Sequence, residues 1–225
     1  MGNLGPKLLE ELQCENVFTI GGIGISESVV VTWIIIAVFL LAAILLTRNL
    51  KVENPGRGQL MLEYIVTWLQ GIGEGIIGEE EKGYASYLTS ILIYLGVANL
   101  IGMLGFKPPT KDLNVTAGLA LMSIFLIEYA GIHKKGFRGW LKSFTQPIAI
   151  VTPINILEVF VKPLSLCMRL FGNVLGAFVI MKLIECILPV GLPVIFSAYF
   201  DVFDGLIQAY VFVFLTGLFI KEAIE

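Results

Sequence analysis

Between Phe144 and Val190 the chain runs for 47 residues without a hydrophilic loop, with only scattered polar side chains among apolar ones. As one α-helix this stretch would extend about 70 Å at ~1.5 Å per residue, more than twice a bilayer hydrocarbon core of about 30 Å. No single upright helix can hold it. Pro147, Pro153 and Pro163 permit breaks or kinks, so the pattern predicts a short lead-in element and then a long, strongly tilted helix from about Ile154 to Leu188. Pro189-Val190-Gly191-Leu192-Pro193 turns the chain, and a last long helix, about Val194 to Ile220, returns it to Lys221.

Hydrophobic residues make up 56% of the 225 residues and charged residues only 15%. With a mean hydropathy of +0.86, this composition indicates an integral membrane protein. The apolar segments are continuous, whereas an outer-membrane barrel shows alternating strands of roughly ten residues. The spans are therefore helices. A net charge of -3 without a long basic run leaves no footprint for nucleic acid. Cys14, Cys167 and Cys186 lack metal-ligand spacing and read as small hydrophobes, and no metal site is expected.

The chain reads as one membrane domain, residues 1–225, of the all-α class with about five transmembrane helices. Residues 1–28 form an acidic external segment with Glu10, Glu11, Glu15 and Glu27 against Lys7, and no cleavable signal pattern. The first span covers residues 29–47, and Arg48, Lys51 and Arg57 after it place the following segment, 48–84, in the cytoplasm by the positive-inside rule. Within that segment Leu60 to Ile77 is amphipathic and reads as an interfacial helix. Gly71, Gly73 and Gly75 carry no Lys-Ser/Thr pair for a phosphate loop and read as a connector.

A helical hairpin spans 85–133, from Ala85 to Phe106 and from Leu113 to His133, with Lys107 to Asp112 as a tight external turn. Lys134, Lys135, Arg138 and Lys142 mark the inside again, and 144–220 is the long tilted hairpin. The N-terminus is thus outside and the C-terminus cytoplasmic.

The polar residues of that hairpin carry the chemistry. Glu158, Lys162, Ser165, Arg169 and Asn173 follow at steps of three or four and share one helix face, beside Gly172 and Gly176. A guanidinium is always protonated, and at membrane depth it costs on the order of 3 kcal/mol by insertion scales. Glu158 and Lys162 have the favourable i, i+4 orientation, which leaves Arg169 without a local acid. On the last helix Ser197, Asp201, Asp204 and Gln208 stand at steps of four, three and four, so the two stripes would face each other or a common aqueous space. Either Arg169 pairs statically with Asp201 or Asp204, or it meets a carboxylate on another subunit and favours its ionised form. Glycines on its face admit a close backbone and favour the second.

Elsewhere, Lys182 and Glu185 are spaced to pair, His133 reads as interfacial, and Glu128 is divided between snorkelling and ion access. Asn99 and Asn114 read as helix glue. With one histidine and no metalloprotease, Gly-x-Ser-x-Gly or Walker pattern, a catalytic role is not expected.

Leu164-Ser165-Leu166, Arg169-Leu170-Phe171-Gly172-Asn173, Gln208-Ala209-Tyr210-Val211-Phe212 with Leu215-Thr216, and Pro109-Thr110-x-Asp112-Leu113-Asn114 resemble the a subunit of F-type ATP synthase, bacterial type. Pro55-Gly56-x-x-Gln59 and Asn99-Leu100-Ile101-Gly102 extend the resemblance over nearly everything from residue 50 onward.

The resemblance implies a non-catalytic subunit of the bacterial cell membrane, without cofactor, that translocates H+ against the rotating c-subunit ring and also meets the b subunit, the other synthase subunits and lipid. Arg169 would be the essential arginine, with Ser165, Asn173 and Gln208 beside it, between two aqueous half-channels. Many relatives carry an acid or histidine five residues after the motif asparagine, where this chain has Phe178. Asp201, seven before Gln208, would then serve proton access, with Asp204 or Glu185 assisting. The Na+-coupled version of the same subunit is the alternative. A self-contained transporter or channel comes from another class, but no internal repeat supports it.

Overall fold

The chain between Glu27 and Thr47 is apolar on every side and begins after Ser26, a short polar residue in extended conformation that suits a helix start. In the computed structural model, which describes residues 16–20, 23–48, 50–51, 55–78, 82–104, 108–145, 149–187 and 196–225, this segment is helix α1, Glu27–Thr47. Ahead of it lies an antiparallel pair, β1 (Asn16–Ile20) and β2 (Ile23–Ser26), in a region where sequence patterning predicts no regular element. Among the described residues five more helices follow: α2 (Arg57–Ile77), α3 (Lys82–Leu100), α4 (Leu113–Ser143), α5 (Thr152–Ile187) and α6 (Gly205–Ile224).

Three-ten turns at Ile101–Leu104, Pro109–Lys111 and Ala149–Val151 connect them, and a π-helical segment, Ala198–Asp204, leads into α6. Among the described residues, four helical stretches are long and apolar enough to cross a membrane: Glu27–Thr47, Leu113–Ser143, Thr152–Ile184 and Ala198–Ile224.

Helix α5 has 36 residues, about 54 Å, and continues through Pro163, so it exceeds an upright crossing of a core of about 30 Å. Helix α4 runs past His133 to Ser143 but is broken at Gly136, whose φ of +72° is costly for a side-chain-bearing residue. Of the basic residues that follow the span, Arg138 and Lys142 thus stand on a helical segment beyond the break. There Trp140 Nε1 donates to Glu128 Oε2 at 2.7 Å, so the Glu128 carboxylate is held by its own helix.

Helix α6 packs chiefly on α3 and α4, α5 lies on α4, and α2 lies against α3. Leu88, Leu95, Ile127, Leu166, Leu170, Phe212 and Ile220 interlock where these helices meet. Helix α1 stands to one side and touches the body through Val31, Ile35 and Ala98. Within the turn before α4, Lys111 and Asp112 are only 5% and 3% exposed. Asp112 accepts from Ser26 Oγ at 2.6 Å and from the Asn114 amide at 2.9 Å, capping α4. A buried carboxylate is tolerable because its oxygens find donors.

Candidate ion-translocation site

Leu166, Cys167 and Leu170 recur at helical spacing and are buried against the body, which turns the opposite face of α5 outward. Along that face Arg169, Gly172 and Asn173 are exposed or partly so, with Ser165 and Gly176 on the same side. A β-carbon added at Gly172 or Gly176 would meet nothing within 4 Å. At the near end of the helix Lys162 Nζ lies 3.5 Å from Glu158 Oε2, the pairing expected from sequence, and 3.1 Å from Glu222 Oε2 of α6. Among the described residues no hydrogen bond or ion pair engages Arg169, and neither Asp201 nor Asp204 reaches it. Among the described residues, a static pair with Asp201 or Asp204 therefore does not account for this charge.

One point of contact joins the two polar stripes. Asn173 Nδ2 donates to Gln208 Oε1 at 2.6 Å, and Gln208 is 4% exposed. Among the described residues Gln208 Nε2 is buried without an acceptor. A buried donor left over costs about 1–3 kcal/mol.

Asp201 and Asp204 lie elsewhere than the stripe predicts. In an uninterrupted α-helix, residues seven apart return to within about 20° of the same face. Within Ala198–Asp204 the helix widens, and the Gly205 amide bonds back to Phe200 O, five residues earlier. A π turn holds an extra residue, which rotates the preceding side chains by about 100° relative to those after it. Asp201 therefore leaves the Gln208 face. Its Oδ2 accepts from Ser197 Oγ, and an added Gly102 β-carbon would stand 3.1 Å from Oδ1. Asp204 is half-buried on the same segment. Glu185 lies on α5, and its side chain falls outside the described residues.

Sequence reasoning missed Lys111. Its ammonium sits 3.6 Å from the centroid of the Phe178 ring, with Lys182 at 5.8 Å from the same ring. A buried cation over an aromatic face is a recognised attraction. The signal available was Phe178 itself, an aromatic ring on the helix that carries Arg169, but nothing local pairs it with a lysine 67 residues earlier.

Comparison with known proteins gives the chain a family. The family model described as ATP synthase A chain matches residues 29–221. The chain belongs to the ATP synthase A chain family. It is 37% identical over 208 residues to ATP synthase subunit a 2 of Bradyrhizobium sp. strain BTAi1, covering 92% of each chain. It is 38% identical over 210 residues to ATP synthase subunit a of Moorella thermoacetica, covering 93% of this chain and 95% of that one. With ATP synthase subunit a 2 of Acaryochloris marina the identity is 32% over 205 residues, 90% and 87% covered. Membership establishes a multi-pass membrane subunit that takes part in ion translocation with other subunits of F-type ATP synthase.

Proposed function

We propose that this chain is the non-catalytic stator element along which H+ enters and leaves the rotating c-subunit ring, so that proton flow drives ATP synthesis. The observation that carries the reading is Arg169, a permanent charge on an exposed, glycine-bared face with no ion pair among the described residues. A carboxylate on a passing helix is the partner that would offset its desolvation.

The mechanism follows from the residues in order. An arriving carboxylic acid meets Arg169, whose charge stabilises the carboxylate and favours release of the proton. Asn173, exposed one turn beyond Arg169 and tied to the buried Gln208 by one hydrogen bond, holds the surface beside it. Arg169 also repels a cation moving directly from one access path to the other. Ser165, one turn before Arg169, extends the same polar face. Asp201, with Asp204 or Glu185 assisting, serves proton access on the external side.

The same reading makes residues 1–225 one membrane domain, with 1–28 outside, 48–84 and the C-terminus in the cytoplasm, and hairpins at 85–133 and 144–220, in the bacterial plasma membrane. The c ring and the b subunit are its partners. The test is ATP-driven acidification of inverted membrane vesicles carrying the assembled enzyme. Acidification independent of Na+ supports proton transport. Acidification abolished by added Na+, with Na+ accumulating in the vesicles instead, or ion flux through the purified chain alone in liposomes, would overturn it.

A further inference from the structure

The π segment owes its place to helix α3. Asn99 sits at the end of α3, 5% exposed, and its Nδ2 donates to Gly205 O at 2.8 Å, at the junction of the π segment and α6. The opposite atom of the same amide, Oδ1, accepts from Thr110 Oγ1 at 2.9 Å, which fixes which way the amide points. Three residues on, Gly102 presents bare backbone to Asp201: an added β-carbon would lie 3.1 Å from Oδ1 and 3.4 Å from Cγ. That is closer than ordinary van der Waals contact, so only glycine gives the carboxylate this seat.

We propose that Asn99 and Gly102 are positioning residues for Asp201: Asn99 holds the π segment in register, and Gly102 receives the carboxylate that the register turns toward α3. The consequence is spatial separation. Asp201 is directed to the end of α3 while Gln208, seven residues on, stays with Asn173 on α5, so the acid serving external access is kept off the arginine. A π turn is intrinsically poor in hydrogen-bond geometry and persists where outside contacts hold it. The Asn99 bond to Gly205 is such a contact, and Thr110 orients it from the three-ten turn beyond α3. The proposal rests on the reading of Asp201 as an ion-path residue.

Two measurements test it, in the assembled enzyme with Cys14, Cys167 and Cys186 changed to Ala. The first is proximity. The Gly102→Cys/Asp201→Cys pair should form a disulfide on mild oxidation, because a sulfur at Asp201 takes the place of Cγ, close to the new β-carbon. Adding Asn99→Ala should lower that yield measurably, since loss of one net hydrogen bond of about 1 kcal/mol shifts the ratio of seated to displaced Asp201 position roughly fivefold. The Asn173→Cys/Gln208→Cys pair, joined by a short bifunctional thiol reagent, should keep its yield, because it lies beyond the π segment. Equal loss at both pairs would reduce Asn99 to general packing and overturn the proposal, as would an unchanged yield at the first pair.

The second measurement is ATP-driven pumping against ATP hydrolysis. Gly102→Ala and Asn99→Ala should each lower pumping severalfold with normal amounts of assembled enzyme, and Thr110→Val less so. Unaltered pumping in both Gly102→Ala and Asn99→Ala overturns the positioning role. Wild-type pumping by Asp201→Asn would instead sink the ion-path reading, and the positioning role with it, whatever the disulfide yields show.

Discussion

Replacing Arg169 separates two accounts of this chain by magnitude. Arg169 is exposed and has no partner among the described residues, and the neighbouring Gly172 and Gly176 have open space around them. Truncation to Ala therefore breaks no hydrogen bond or ion pair among the described residues, and its cost to the fold should stay within about 0.5 kcal/mol, as for an ordinary surface change. A static buried pair would cost far more, about 3–5 kcal/mol, because the partner charge would be stranded.

The functional cost runs the other way. Opposite unit charges about 4 Å apart at an effective dielectric of about 20 attract by roughly 4 kcal/mol. At about 1.4 kcal/mol per factor of ten, losing that attraction makes deprotonation of the arriving acid roughly a thousandfold less favourable. Arg169→Ala should thus assemble at wild-type levels, measured by immunoblot of washed membranes, and show no ATP-driven acidification of inverted vesicles. Arg169→Lys should fail nearly as badly, because a lysine loses the planar fork and can surrender its proton. Poor assembly of Arg169→Ala would refute the structural half of this reasoning. Full pumping or ATP synthesis by either variant would refute the other half.

Three further outcomes are expected from contacts in the body. A double-variant cycle on Asn173→Ala and Gln208→Ala should show coupling of about 0.6–1.7 kcal/mol in pumping rates, the range for interhelical hydrogen bonds in membranes, and strict additivity would deny the 2.6 Å bond a role. Gly217→Val should lower the amount of subunit in membranes, since even the first added carbon would stand 2.5 Å from Ile76 Cγ2 and 2.9 Å from Leu88 Cδ1. Overpacking of this kind costs about 1–3 kcal/mol, and normal levels would contradict the close approach of α2, α3 and α6. Glu222→Gln should move thermal inactivation very little, because the Glu222 side chain is 55% exposed and ion pairs open to solvent contribute about 0–1 kcal/mol.

Much of the site is readable without coordinates because it depends on spacing along one helix. Ser165, Arg169 and Asn173 at steps of four must share a face, and the Glu158–Lys162 pair obeys the same rule. The membrane class and the length of α5 are set by composition and by the absence of a hydrophilic break between residues 144 and 190. The assumption that fails is that every helix keeps a period of 3.6. On the last helix that assumption places Asp201 beside Gln208, and the π segment removes it.

Residues alone therefore determined the local features: which segments are apolar enough for helix, which side chains share a face, and that Arg169 has no acid within reach on its own helix. Tertiary structure decided the rest. Asn99 meets Gly205 across 106 residues of chain, Lys111 finds the Phe178 ring, and Ser26 reaches Asp112, each joining elements whose patterns carry no sign of the other. The physical reason is that helix periodicity is summed from neighbours a turn apart, whereas a π turn or a buried charge is held by partners that only packing brings within hydrogen-bond distance.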